Sequence, residues 1–271
     1  SLLRDGFVLI PSLLSESELS TLRGAAASSI ARARAGKWPY IRTVPKQFPP
    51  WPPTPGPEGI WGVQHLLHPS LPPEEQQVYA HSYFTGKIMH LIMGILGCRE
   101  EDMVMELYNM LEAATTTTAK KAFTLRWHRD DIPASASAEE ELARLSQPAH
   151  HAQWNLALYP DSALVVVPGS HKRARTEAER QADLFDGEDE TDESERESQK
   201  KKKKMPGQIP VTMQPGDVVF YNNNILHRGV YDRDAERATL HGSVGVLAGG
   251  DTRARNVLQH GVGEWVDRIS F

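Results

Sequence analysis

The alternation of apolar and polar positions divides this chain into a helical first part and a strand-rich remainder. Phe7-Val8-Leu9-Ile10, set between Gly6 and Pro11, reads as a short β-strand closed by proline. Ser15 with Glu18 three residues on forms a capping box, and Leu19, Leu22, Ala26, Ile30 and Ala33 then recur at helical spacing until Gly36 ends the run. Seven prolines between Pro45 and Pro57, with Phe48 and Trp51 among them, exclude helix and central strand and predict a stiff aromatic loop. Such a loop is expected to wall the entrance of a site; a ligand for a proline-recognising domain is the alternative. Pro73 to Gly97 predicts two helices divided near Thr85-Gly86, with Val78, Ile88, Leu91, Ile92 and Ile95 buried. Past Met103 the period becomes that of strands, predicted over 103–111, 123–128, 154–159, 163–167, 217–222, 229–231 and 238–247. This density of strands predicts a mainly β fold with flanking helices: a double-stranded β-helix, the jelly-roll or cupin-like barrel.

One stretch breaks the pattern. Residues 173–205 begin helix-like, then pass through an acidic block from Asp186 to Glu193 into five consecutive lysines, Lys200 to Lys204. Blocks of opposite charge without apolar anchors cannot offset their ordering entropy, so the expectation is a charged, mobile insertion between barrel strands of a single domain spanning 1–271. The lysine run alone would suit a nuclear address or an anionic surface; beside the acidic block it reads as a solvated loop.

Bulk composition narrows the function classes. A hydrophobic fraction of 39% with 24% charged residues suits a globular chain with a sizeable core. The apolar run from Ile88 to Gly97 is interrupted by His90 and two glycines and falls short of the roughly 18 residues a membrane span needs. A net charge of −5 weighs against binding phosphate backbones, so neither nucleic acid nor membrane is an expected partner. The single cysteine, Cys98, rules out an internal disulfide framework and fits a reducing compartment, hence an intracellular, cytoplasmic location. The chain begins at Ser1, which leaves open whether a targeting segment preceded it; oligomeric state is equally open.

Candidate chemistry gathers in two places. On an extended strand Thr124, Arg126, His128 and Asp130 project to one face, and Phe123, Leu125 and Trp127 to the other. An imidazole and a carboxylate two positions apart supply half of the 2-His-1-carboxylate set that holds non-haem Fe(II) and leaves coordination sites open. Alone, this spacing more often marks a surface or salt-bridged histidine. About a hundred positions later, the turn Pro215-Gly216-Asp217 leads into an alternating strand, and His227 follows. Beyond it stands Arg237, with Thr239 on the same strand face. The planar guanidinium fork suits the distal carboxylate of 2-oxoglutarate. Without the flanking pattern, Arg237 would read as one more surface charge beside Arg228, Asp232, Arg233, Asp234 and Glu236. Asn109, sharing a face with Leu107, is expected to donate to 2-oxoglutarate or substrate, or else to satisfy the core. Alternation favours Arg126 over Arg129 as holder of an anionic substrate group.

The ordered set Asp5-Gly6-Phe7-Val8, Trp127-His128-Arg129-Asp130, Val167-Pro168-Gly169-Ser170-His171, Pro215-Gly216-Asp217, His227 and Arg237 resembles the phytanoyl-CoA dioxygenase-like family over nearly the whole chain. The resemblance implies an Fe(II)/2-oxoglutarate-dependent oxygenase of a small-molecule substrate. It places iron on His128, Asp130 and His227 and 2-oxoglutarate on Arg237, with dioxygen as the other co-substrate. By the same resemblance His171 is a hydrogen-bonding loop histidine. Retention of Asp130 argues against halogenation, for which related enzymes have a small residue there. The charged insertion directly after the Pro-Gly-Ser-His element departs from the family pattern. The closing stretch Arg255 to Trp265 is similar to fungal members that close an aziridine ring on L-valine-like amino acids. That implies a free amino acid such as L-valine, ring-closed or hydroxylated, in fungal secondary metabolism. Ile269 and Phe271 would then cap an apolar substrate group, or else dock the terminus. Alternatives are hydroxylation of an acyl-CoA or other fungal metabolite, an iron enzyme that dispenses with Arg237, and a catalytically inactive metal-binding barrel acting as a binding module.

Overall fold

The computed structural model describes residues 1–43, 49–52, 54, 59–112, 123–185, 204–231, 237–248, 261 and 263–269. Its helices are α1 (Leu2–Asp5), α2 (Glu16–Arg34), α3 (Pro73–Tyr83), α4 (Gly86–Leu96), α5 (Ala138–Leu145) and α6 (Glu177–Phe185). The strands are β1 (Phe7–Ile10), β2 (Ile41–Thr43), β3 (Ile60–Val63), β4 (Met103–Glu112), β5 (Phe123–Thr124), β6 (His151–Ala157), β7 (Leu164–Val167), β8 (Ile209–Pro210), β9 (Val218–Tyr221), β10 (Leu226–Tyr231) and β11 (Ala238–Val246). Seven of them form one sheet in the order β1-β9-β6-β11-β4-β3-β2, and four form a second, β5-β10-β7-β8. Every pairing is antiparallel, giving the expected jelly roll with helices on one side.

Strand alternation decides what each sheet face meets. From the larger sheet Tyr108 and Met110, Trp154 and Leu156, Val218 and Phe220, and Leu240 enter a core shared with Leu19 and Leu22 of α2, Tyr79 and Tyr83 of α3, and Ile88 and Ile92 of α4. The intervening residues Leu107, Leu111, Gln153, Asn155, Tyr221 and His241 face the opposite way, into a cavity bounded by the smaller sheet. The predicted helix boundaries hold at α2, where Ser15 Oγ accepts from the Glu18 amide at 3.3 Å and Glu18 accepts from the Ser15 amide at 2.7 Å. Among the described residues no helix is long and apolar enough to cross a membrane.

Several elements depart from the sequence pattern. Strands β2 and β3 flank the proline-rich stretch and are too short for a period to show. Trp51 of that stretch packs edge-on against Tyr40 at 6.2 Å and His65 at 5.3 Å. The predicted strand over 123–128 ends after β5. Thr124 pairs with Val230 and His128 with His227, so one extra residue is accommodated between them, as at a β-bulge. Helix α5 follows a Ser137/Glu140 capping box that the apolar pattern leaves unmarked. The expected insertion over 173–205 starts in packed structure: Arg175 pairs with buried Glu141 of α5 at 2.8 Å, and Arg173 with Glu179 of α6 at 2.6 Å. Its acidic block and most of its lysine run lie outside the described residues.

Close packing makes one glycine indispensable. Gly242 of β11 sits under the fully buried Trp154 indole, and a Cβ there would lie inside that ring's van der Waals surface. Gly242→Val is expected to cost about 1–3 kcal/mol, overpacking outweighing the gain in strand propensity. A lowered urea midpoint checks this; an unchanged one would contradict it.

Candidate metal centre and co-substrate pocket

Backbone pairing joins two parts of the chain that are distant in sequence. The amide of His128 donates to the carbonyl of His227 at 3.0 Å, and the amide of His227 donates back at 3.1 Å. One step on, the Asp130 amide donates to the Asn223 carbonyl at 2.9 Å, and the Asn223 carboxamide donates to Asp131. The two imidazoles therefore lie side by side, ring centroids 4.3 Å apart, with Asp130 Oδ1 at 3.6 Å from each Nε2. One ligand atom from each of the three lies within 4.8 Å of the others, close enough to share a metal ion. His128 Nδ1 contacts the Arg126 carbonyl and His227 Nδ1 the Ile225 carbonyl, each at 2.8 Å, which sets the tautomer that leaves both Nε2 lone pairs toward the shared point. Burial and the neighbouring His128 push the His227 pKa down to about 4 despite Asp130, so its ring stays neutral and ligand-competent at neutral pH.

The Pro168-Gly169-Ser170-His171 element braces this centre. Ser170 Oγ accepts from the Leu226 amide at 2.8 Å, and Gly169, at φ 75°, donates its amide to the Asp5 carbonyl at 2.8 Å. His171 is a loop histidine as expected, its Nε2 lying 3.3 Å from the Leu3 carbonyl. Arg129 turns away from the cavity and ties the backbone together by donating to the carbonyls of Ser170, Asn224 and Arg173.

A cavity of about 510 Å³ opens beside the three ligands and reaches Arg237. Arg237 is buried and held from two sides: Nε donates to Asp161 at 2.8 Å, while its guanidinium carbon lies 4.6 Å from the Tyr231 ring centroid. Thr239 donates to the same Asp161 oxygen, and the Ala163 amide to the other at 2.6 Å. With Nε so engaged, the terminal Nη1 is buried and has no hydrogen-bond partner among the described residues. A buried guanidinium with an orphaned end is what a carboxylate ligand would complete. The donor set thus fits both a ferrous ion, with mixed nitrogen and oxygen ligands, and a keto-diacid.

The profile of the phytanoyl-CoA dioxygenase (PhyH) family matches residues 2–231. The chain belongs to this family. It is a non-haem Fe(II)/2-oxoglutarate-dependent dioxygenase, with iron, 2-oxoglutarate and dioxygen as its requirements. No curated protein sequence matches it. Among solved structures, AviO1 from Streptomyces viridochromogenes Tue57 is similar at 17% identity and TM-score 0.58, covering 91% of this chain and 92% of that one. EctD from S. alaskensis, solved with 2-oxoglutarate and 5-hydroxyectoine, is similar at 17% identity and TM-score 0.59, with 91% and 74% covered. HygX from Streptomyces hygroscopicus, with nickel, 2-oxoglutarate and hygromycin B bound, gives 15% and 0.56, with 91% and 85% covered. At such identities the likeness speaks for the fold.

Within this dioxygenase the expected residues divide. His128, Asp130, His227, Arg126 and Arg237 all border the cavity, Arg126 from an exposed position. Thr239 does not border it; being fully buried, it supports Asp161 rather than meeting a ligand. Asn109 is also sealed off from the cavity. Its Oδ1 accepts from the His65 amide at 3.0 Å and so holds a residue whose φ is +61°, a core-satisfying duty in place of the expected donation. Ile269 packs on the main core near Trp265, the docking alternative, and Phe271 lies outside the described residues. Most of the closing stretch similar to fungal relatives, residues 255–260 and 262, also lies outside them. Leu125 faces the cavity instead of the opposite side, because the extra residue before His128 resets the alternation. Two features escaped the pattern, one lining the cavity and one behind Arg237. Asp161 sits in Pro160-Asp161-Ser162, which reads as an ordinary turn, and Arg42 sits in a three-residue strand without a period.

Proposed function

We propose that His128, Asp130 and His227 hold the iron, that Arg237 anchors 2-oxoglutarate, and that this single oxygenase domain oxidises a small amphipathic substrate, best a free amino acid such as L-valine. The observation that carries the reading is the shared cavity, with three convergent ligand atoms at one end and a guanidinium with a buried, unpartnered nitrogen at the other. When bound, iron and 2-oxoglutarate supply the chemistry, in which dioxygen and the keto acid become succinate, carbon dioxide and an oxidised substrate. The protein's part is position. The carbonyls of Arg126 and Ile225 orient the two imidazoles, and Asp161 with Thr239 holds Arg237 in one pose. Leu107, Leu111, Leu125 and Trp61 present an apolar wall that restricts water and suits an aliphatic side chain. A Cβ on Gly229 would strike the Tyr231 phenol, so glycine there lets Tyr231 lie along the pocket beneath Arg237.

A volume of about 510 Å³ that must take 2-oxoglutarate and a substrate together favours a small molecule over a whole acyl thioester. The resemblance of the closing stretch to fungal aziridine-forming relatives selects L-valine, oxidised by C–N ring closure or hydroxylation in secondary metabolism. Succinate release is the test, measured with the iron-loaded protein against branched amino acids, acyl-CoAs and small cyclic metabolites. L-Valine and its aliphatic neighbours are expected to stimulate turnover most. Stimulation by an acyl-CoA with none by any amino acid would remove the amino-acid reading and leave the oxygenase intact.

A further inference from the structure

We propose that His241 Nε2 accepts a hydrogen bond from an N–H or O–H group of the substrate, which makes that substrate an aliphatic amine, amino acids included, or an aliphatic alcohol. The inference rests on the oxygenase reading above and deepens it. Strand β11 lies inside the larger sheet, between β6 and β4. Leu240 enters the main core and Gly242 lies under the Trp154 indole, so alternation turns His241 to the other face, where it lines the cavity. The ring is half-buried, and with strands on both sides the part left accessible opens into that cavity.

Neighbouring strands set which ring nitrogen is free. Asn155 stands directly opposite His241 on β6, and its Oδ1 lies 2.8 Å from His241 Nδ1. A carboxamide oxygen can only accept, so Nδ1 carries the proton and Nε2 keeps its lone pair. Asn109, opposite on β4, does not compete for the ring, because its Oδ1 is engaged by the His65 amide. Nε2 makes no hydrogen bond among the described residues. Burial, with help from the charge on Arg42, pushes the His241 pKa down to about 4, so the ring is neutral at neutral pH and Nε2 stays an acceptor. An acceptor facing the cavity calls for a donor. Dianionic 2-oxoglutarate presents acceptor oxygens alone and would be repelled by a lone pair, so it does not supply that donor; a group on the substrate does. Leu107 and Leu111 flank His241 diagonally on β4, on the same face, and offer apolar surface to the stem that carries the donor.

The experiment uses the full chain saturated with Ni(II) and 2-oxoglutarate and follows fragment binding by saturation-transfer NMR. The probes share one stem: isobutylamine, isobutanol and methyl isobutyl ether, the last of which has no donor. The amine or the alcohol is expected to bind at least about fivefold more tightly than the ether, as one buried hydrogen bond implies, and the tighter of the two identifies the donor. His241→Phe, which keeps a ring and loses the acceptor, should abolish that preference. His241→Gln, whose amide oxygen can reach the place of Nε2, should keep part of it. Calorimetry should find 2-oxoglutarate affinity changed by less than about threefold in both variants, which also shows that both are folded. A preference retained in full by His241→Phe overturns the proposal, as does a wild-type protein that binds 2-oxoglutarate and takes the ether as tightly as the amine and the alcohol. Loss of 2-oxoglutarate binding in His241→Phe also overturns it, because His241 would then be a co-substrate residue. A wild-type protein that binds no 2-oxoglutarate would instead sink the underlying reading of the site.

Discussion

His227→Ala is expected to abolish 2-oxoglutarate turnover, with succinate release falling by more than about 100-fold. Loss of a residue that merely orients a metal ligand costs about 10–100-fold, and His227 is proposed to supply a ligand atom directly. Its Nε2 is also the atom whose alignment the Ile225 carbonyl secures, and among the described residues His128 and Asp130 alone share its ligand cluster. Anaerobic addition of Fe(II) and 2-oxoglutarate should raise the weak visible absorption of the chelate in the wild type and not in the variant. His227 reaches His128 through paired backbone bonds that alanine preserves, so the fold should survive and thermal unfolding should remain cooperative. A variant that retains both the absorption and the turnover would remove His227 from the metal centre.

Arg237→Gln should carry the second large effect, and it should act twice. Truncating one member of a buried ion pair costs about 3–5 kcal/mol, since Asp161, which is 2% exposed at its side chain, would keep only Thr239 and the Ala163 amide as partners. The same change removes the buried fork that would take the distal carboxylate. Breaking a buried charged contact costs about 2–5 kcal/mol, so 2-oxoglutarate should bind at least about 30-fold more weakly. Arg237→Lys separates the two effects: it keeps a charge near Asp161 and should recover part of the stability while affinity stays low, because a lysine lacks the second parallel donor. Urea unfolding and calorimetric titration of the nickel-loaded protein measure the pair. Unchanged 2-oxoglutarate affinity in both variants would move the co-substrate away from Arg237.

Sequence and structure agree most where the information is local. The helical period from Leu19 to Ala33, the division at Thr85-Gly86 and the strands over 163–167 and 238–247 can be read from spacing, because each reports only its own backbone geometry. The two halves of the ligand set are legible for a related reason: His128 and Asp130 share one short stretch, and His227 and Arg237 both follow a recognisable turn and strand. Short elements escape. β2 has three residues and β8 two, too few for any period, and β2 is the one that delivers Arg42.

Composition, alternation and motif order were enough to read, without coordinates, a jelly roll with a candidate iron site and a guanidinium for a keto-diacid. Which groups surround that site depended on pairings between strands far apart in the chain. The extra residue before His128 turned Leu125 inward, Asp161 of the β6–β7 connection met Arg237 at the start of β11, and Arg42 entered from an edge strand that leaves no trace in the period. Side-chain alternation constrains a residue relative to its own neighbours. Registers, bulges and buried charge pairs arise from contacts between segments, whose burial energy exists only once the sheets have closed on each other.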